Sequence, residues 1–248
     1  MEIVKQNFIK TFADLFTRGE MLKAEYLLKY CIPLDIEDDK DIKDIREEAS
    51  NRLEEIRQWT RDGRPGHENP AFADINSFPK FMLAKEKIEK LFMNRSDIPK
   101  ILDIGCYTGA LIKDLASKYG CYGVDIHKEL MEEFGNDGNP KFYFCPADRL
   151  LKVFEPEKFD LVMAFDVLEH CFDLDIVMRQ IEFVTKKGGM IMINLPRMTP
   201  GYKDNAFEHL RMFSDKQIVS MFADRKNYKF ELCKDELGRD TSFFTYEK

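Results

Sequence analysis

The spacing of apolar and polar positions changes character near residue 100. Upstream, apolar residues recur at steps of three and four. Ile42, Ile45, Ala49, Leu53, Ile56 and Trp59 share one face of a helix predicted over 41–59, and the opposite face is charged. A shorter helical segment, GEMLKAEYLLKYCIPLD, stops near Pro33. The stretch TRDGRPGHENP, residues 60–70, holds two glycines and two prolines and reads as a linker. A further helix is expected from Pro79 to Met93, and Pro99 precedes the first strand.

Downstream, short apolar runs alternate with helical periodicity. Strands are predicted at 100–104 (KILDI), 121–125 (CYGVD), 141–145 (KFYFC), 159–164 (FDLVMA) and 189–194 (GMIMIN). Helices are predicted at 109–118, 127–134, 173–185 and 214–225. Alternation with short connections predicts an α/β chain, a Rossmann-like doubly wound parallel sheet covered by helices on both faces. The tail, YKFELCKDELGRDTSFFTYE, breaks the alternation. It reads as two strands and a glycine-containing loop, an antiparallel C-terminal edge hairpin that brings the sheet to seven strands. The expected organisation is a helical extension or cap at 1–60, a linker at 61–78 and the α/β domain at 79–248.

Composition narrows the classes of partner. In 248 residues, 44% are hydrophobic and 12% aromatic, enough for a sizeable core. The net charge of -7 argues against a general nucleic-acid binder. The six cysteines are at least fifteen positions apart and show no CxxC or Cys/His spacing, so no metal is expected and the thiols read as reduced in a cytoplasmic protein. The N-terminal stretch MEIVKQNFIKTFADLF carries charge throughout, so neither a signal peptide nor a membrane span is expected there. The N-terminal helices are the candidate surface for a homodimer.

Candidate chemistry gathers where the predicted strands end, since ligands of doubly wound sheets bind beyond the carboxyl ends of the strands. In ILDIGCYTGAL, residues 101–111, Asp103, Gly105, Cys106, Tyr107 and Gly109 occupy that edge of the first strand. Glycine permits a sharp turn and close approach of a ligand. The amides of the following helix would favour a carboxylate or phosphate. Asp125 ends the second strand and Asp148 follows the third. The first can accept from both hydroxyls of a ribose, the second from the exocyclic amine of adenine. With Asp166 after the fourth strand, the ordered acids describe a site for a nucleoside with a charged group near the glycine turn.

On these motifs, residues 75–248 resemble the class I S-adenosylmethionine-dependent methyltransferases. LDIGCYTG is similar to their first motif, VDIH to the acidic second-strand motif and ADRL to the adenine-contacting segment. FDLVMAFDVLEH and TKKGGMIMINLP are similar to the fourth- and fifth-strand segments. The resemblance implies S-adenosylmethionine as cofactor, with Gly105 and Gly109 flanking its amino-acid part, Asp125 at the ribose, Asp148 at the adenine, and Phe165 and Asp166 at the methionine end. Asp103, Cys106, Tyr107, Ile126, Ala147 and Arg149 are expected among the cofactor-binding residues, the Tyr107 side chain either pointing away from the cofactor or covering it. Tyr107 departs from the family, which often has glycine there.

Methyl transfer needs alignment first, and an oxygen or nitrogen acceptor can also need a base. DVLEH offers Glu169 and His170, and FEHLRMFS offers His209. His170 reads as either a base or a brace for its loop. Small-molecule members of the family have a histidine facing the acceptor in a place similar to His209, for which a surface-loop role is the alternative. The segment PRMTPGYKDNAFEHLR reads as a lid over the acceptor or as a solvated insertion. The leading expectation is methyl transfer to oxygen or nitrogen of a small-molecule or sugar acceptor. RNA or protein methylation on the same fold, and a catalytically silent cofactor-binding protein, are alternatives. A nicotinamide-dependent oxidoreductase predicts G-x-G-x-x-G after the first strand, and GCYTG lacks the third glycine.

Overall fold

The computed structural model describes residues 2–17, 24, 27–28, 31–32, 36, 39–46, 78–126, 128–171, 173–197, 213–234 and 240–248. The chain divides into two compact units. One comprises Met1–Ala73, His170–Asp173 and Asp204–Leu210, the other Asp74–Glu169, Leu174–Lys203 and Arg211–Lys248.

The first unit has its own apolar core. Helix α1 (Glu2–Thr17) contributes Phe8 and Leu15. Ala24, Leu27, Leu28, Cys31, Ile32, Ile36 and Ile42 complete the cluster. Residues 40–46 are helical, and Ile42 and Ile45 turn inward as their spacing predicts. The rest of the predicted 41–59 helix and the 60–70 linker lie outside the described residues. Lys5 ties α1 to the following segment through Asp39 and Asp41, at 2.9 and 2.6 Å.

The second unit is a seven-stranded sheet. Helix α2 (Pro79–Phe92) leads into β1 (Lys100–Ile104), then α3 (Ala110–Leu115), β2 (Gly120–Asp125), α4 (Lys128–Phe134) and β3 (Lys141–Phe144). A 3-10 turn (Ala147–Lys152) and β4 (Phe159–Phe165) follow, then a 3-10 turn at Leu168–His170, α5 (Leu174–Val184) and β5 (Thr185–Pro196). Helix α6 (Asp215–Phe222), β6 (Lys226–Lys234) and β7 (Asp240–Glu247) close the unit. The strand order is β3-β2-β1-β4-β5-β7-β6. The first five strands run parallel, and β7 enters antiparallel between β5 and β6.

Every residue of β4 is buried, the signature of a parallel strand covered on both faces. Alternate side chains serve two layers. Leu161, Met163 and Phe165 join Ala84, Ile88 and Phe92 of α2 and Leu111, Ile112 and Leu115 of α3 in one cluster. On the strand side facing away from Phe243, Phe222 of α6 stacks on Phe244 and Tyr246, at 4.4 and 5.9 Å between ring centres. Helix α6 starts at a capping box, in which the Ser214 hydroxyl accepts from Gln217 N–H and the Gln217 side chain accepts from Ser214 N–H.

The two ends of the sheet carry different chemistry. At the amino edge, buried Asp160 accepts from Arg95 at 2.8 Å, Lys186 at 2.9 Å and the Lys100 N–H at 2.8 Å. Burial alone would raise its pKa, but these partners together hold it below the usual carboxylate value. At the carboxyl edge the order reverses between β1 and β4, which both start from the centre of the sheet and lead outward to opposite sides. That reversal opens the crevice where ligands of doubly wound sheets bind.

Candidate functional site

The turn after β1 is built by backbone bonds to β2. Gly105 and Cys106 both donate to the Val124 carbonyl, at 2.9 and 3.1 Å. Gly105 is exposed with φ 70, and a Cβ there would lie 2.5 Å from Val167 Cγ2. Only glycine therefore lets the segment after β4 close on this turn. Gly109 caps α3 with φ 67, and a Cβ would meet the Phe142 ring at 2.4 Å. Tyr107 also takes a left-handed conformation, φ 45, at the place where the related family often has glycine. Its strain is held by a bond from Tyr107 N–H to Asp125 Oδ2 at 2.7 Å.

Asp103 and Asp125 end neighbouring parallel strands, and both are 6% exposed. Burial pushes the Asp103 carboxyl up to about 8, and the nearby Asp125 charge adds to the shift. Among the described residues no cation pairs with Asp103. The contrast with Asp160, surrounded by donors at the other edge, is what marks this end of the sheet as a place for a ligand that brings donors or positive charge. The same burial, with both acids close by, raises the Cys106 thiol far above its ordinary range, so it is no nucleophile.

The third acid, Asp148, follows β3, the strand paired with β2. Cys145 N–H donates to the Asp125 carbonyl at 3.0 Å, which fixes the chain just before Ala147, Asp148 and Arg149. Leu150 anchors that 3-10 turn in the core. Asp148 and Arg149 lie 3.8 Å apart and are both partly exposed, as are Ile126 and Ala147.

Asp166 is set by two strands and a helix. Its N–H donates to the Asn194 carbonyl of β5 at 3.0 Å, and its backbone is left-handed, φ 54. Its carboxylate pairs with Lys80 of α2. Lys80 was not evident as a site residue from local sequence. Its signal is a lysine in the stripe Lys80, Ala84, Ile88, Phe92, the buried face of α2.

The structure thus brings Asp103, Gly105, Tyr107, Gly109, Asp125, Ile126, Ala147, Asp148, Arg149 and Asp166 to one edge of one sheet. Cys106 and Phe165 sit there by backbone only. The Cys106 thiol lies against Met131 at 3.9 Å, and the Phe165 ring packs between Phe81 and Phe243 at 6.1 and 5.4 Å. Glu169 is fully buried. The His170 carbonyl accepts from the Cys31 thiol at 3.1 Å, within the helical unit. His209 and the loop containing it lie outside the described residues. All described cysteines are free thiols, and no cluster among the described residues could hold a metal ion. No described helix is long and apolar enough to cross a membrane.

This is a Rossmann-like doubly wound fold with acids at successive strand ends. Comparison with known proteins makes the class specific. A methyltransferase domain family model matches residues 102–193. A sterol 24-C-methyltransferase of Clavispora lusitaniae is 26% identical over 165 residues, 63% of this chain and 43% of that protein. A ubiquinone biosynthesis O-methyltransferase of Pelagibacter ubique is 30% identical over 138 residues, covering 50% of this chain and 56% of that protein. The chain therefore spans about half the length of these curated relatives. The crystal structure of the YcgJ protein from Bacillus subtilis shares the fold, with TM-score 0.50 and 16% identity over 67% of this chain and 98% of that one. Over residues 102–193 the chain carries a methyltransferase domain similar to those of the class I S-adenosylmethionine-dependent methyltransferases, whose cofactor is S-adenosylmethionine.

Proposed function

We propose that the chain transfers a methyl group from S-adenosylmethionine to an oxygen or nitrogen atom of a small-molecule or sugar acceptor. The observation that carries this reading is the buried Asp103–Asp125 pair, two carboxylates at one strand edge with no cation beside Asp103 among the described residues. A ligand with ribose hydroxyls and an ammonium group meets that demand. When bound, the cofactor supplies a methyl group already activated by a sulfonium, so the chain's work is binding, alignment and exclusion of water. Asp125 holds the ribose, Asp148 the adenine amine, and Asp166 orients the methionine end.

The relatives' names span transfer to carbon in a sterol and to oxygen in ubiquinone biosynthesis, both small molecules. The net charge of -7 also favours a small acceptor over nucleic acid. For an acceptor that must lose a proton, we assign the base to His209, with His170 as the comparison. A neutral imidazole is needed, so turnover should fall as pH drops through a pKa near ~6.5 if unperturbed.

The test is a screen with methyl-labelled cofactor against phenols, hydroxylated lipids, amines and sugar nucleotides. Label in a small product supports the reading. Label only in RNA or protein would replace the acceptor class. Tight cofactor binding without transfer to any pool would favour a silent binding protein. With the acceptor in hand, His209→Ala should lower turnover by about 10²–10⁴-fold and leave cofactor affinity unchanged. Wild-type turnover in that variant would remove His209 from the mechanism.

A further inference from the structure

Lys80 opens the buried stripe of α2, followed at four-residue steps by Ala84, Ile88 and Phe92. The other three positions are apolar, and Lys80 is itself only 4% exposed. Taking an ammonium out of water is unfavourable unless a partner meets it. Here the partner is Asp166, while the Phe81 ring centre lies 5.5 Å from the ammonium. Phe81 in turn stacks on Phe165, the residue before Asp166. An apolar side chain would fill this position in the stripe without burying a charge, so packing alone does not explain the lysine.

The two members of the pair differ in what they face. The Asp166 side chain keeps 36% of its surface in solvent, against 6% for Lys80. One part of the carboxylate is therefore fixed from inside the domain while another remains open at the carboxyl edge of the sheet. Its left-handed backbone is restrained by the bond from Asp166 N–H to the Asn194 carbonyl. That bond fixes the main chain but leaves side-chain rotation to be settled by something else. The Lys80 ammonium supplies that restraint. It also offsets one of the negative charges that Asp125, Asp148 and Asp166 place on a single edge.

We propose that Lys80 is a positioning residue, whose buried ammonium fixes the Asp166 carboxylate toward the methionine end of the cofactor; the inference rests on the cofactor site proposed above. Lys80 acts through Asp166 and touches neither cofactor nor acceptor. Its effect should therefore appear in cofactor affinity and vanish when Asp166 can no longer respond.

Calorimetric titration of S-adenosylhomocysteine into the full chain tests this with a double-mutant cycle. Lys80→Met and Asp166→Asn should each weaken binding by about tenfold, and the double variant should bind no worse than Asp166→Asn. Lys80→Arg, which keeps the charge, should stay within about threefold of wild type. Lys87→Met breaks another ion pair of α2, with Glu231, and should bind as wild type does. A general loosening of α2 would weaken that control too and would overturn the proposal. So would wild-type affinity in Lys80→Met, or a further loss in the double variant beyond Asp166→Asn. If Lys80→Met does not fold, the double variant, which leaves no uncompensated charge, is compared with Asp166→Asn alone, and a further loss in it overturns the proposal. Wild-type affinity in Asp166→Asn would remove Asp166 from the site and this inference with it. Failure of the unaltered chain to bind S-adenosylhomocysteine would instead refute the cofactor reading.

Discussion

Replacing Asp125 tests two roles, its support of the turn through Oδ2 and its proposed hold on the ribose. Oδ2 accepts from Tyr107 N–H at 2.7 Å and so holds the strained turn. A carboxylate has about four acceptor sites, so accepting from Tyr107 does not prevent it from also accepting from a ribose hydroxyl. In Asp125→Asn the amide oxygen can still accept from Tyr107, so the turn survives. The NH₂ group cannot accept, and the charge is gone. Exchanging charge-assisted bonds of about 1.5–3 kcal/mol for neutral ones of about 0.5–1.5 kcal/mol predicts a loss of about 1–2 kcal/mol. That is about 5- to 30-fold in affinity for S-adenosylhomocysteine. Asp125→Ala also strands the Tyr107 N–H, so its loss should reach about 3 kcal/mol or more, with lower stability as well. Calorimetry gives the affinities and urea unfolding the stabilities. Unchanged affinity in a folded Asp125→Asn would refute the ribose assignment. Equal stability of the Ala and Asn variants would refute the support of the turn.

Four further outcomes follow from the same edge. The Asp103 carboxyl is raised to about 8 by burial and by Asp125, so the native state holds a proton that the unfolded chain has released above about pH 4. Stability should therefore fall as pH rises from about 4 through 8, and Asp103→Asn should flatten that slope in urea titrations; an unchanged slope would contradict the buried, protonated acid. A cationic group placed beside Asp103 favours its ionised form, so cofactor binding at pH 7 should release protons, seen as a binding enthalpy that varies with the buffer's ionisation enthalpy. Gly109→Ala combines a left-handed backbone with a contact of 2.4 Å to Phe142 and should destabilise by about 2–5 kcal/mol in urea unfolding. Tyr107→Gly relieves the left-handed strain while keeping the N–H on Asp125, so affinity should stay near wild type; a large loss would show that the Tyr107 side chain itself covers the ligand.

The parallel sheet was legible because each strand is a short apolar run bounded by a turn. Strands predicted at 100–104, 121–125, 141–145 and 159–164 all lie within one residue of those observed at each end. β5 is the exception, beginning at Thr185 rather than 189. The segment TKKGG looks like a loop, yet Thr185 pairs with Phe159 across a register shift, and Lys248 N–H donates to the Gly189 carbonyl. Such pairing depends on the last residue of the chain, which local pattern does not reach. Helix α3 ends at Leu115, short of the predicted 118, and passes into a turn in which Lys118 N–H and Tyr119 N–H both donate to the Leu115 carbonyl.

The acids of the site were legible for the same reason as the strands: their positions follow from where each run ends. Their states were not. Asp103 differs from Asp160 in its neighbours rather than in its local sequence, and those neighbours come from other strands. Lys80 meets its partner 86 positions away, so only the break in an apolar stripe hinted at it. Tyr107 looked like a departure from the glycine-rich turn of related proteins. In the structure Tyr107 takes a left-handed backbone, φ 45, a conformation that glycine adopts without strain.

The most direct test of where the cofactor sits is amide hydrogen exchange of the full chain, with and without saturating S-adenosylhomocysteine. Exchange should slow at residues 105–109, 125–126, 147–149 and 165–166, the carboxyl ends of β1 to β4, while the Asp160 edge of the sheet stays unchanged. Saturable binding with protection confined to other segments, or with none at this edge, would contradict the placement of the site.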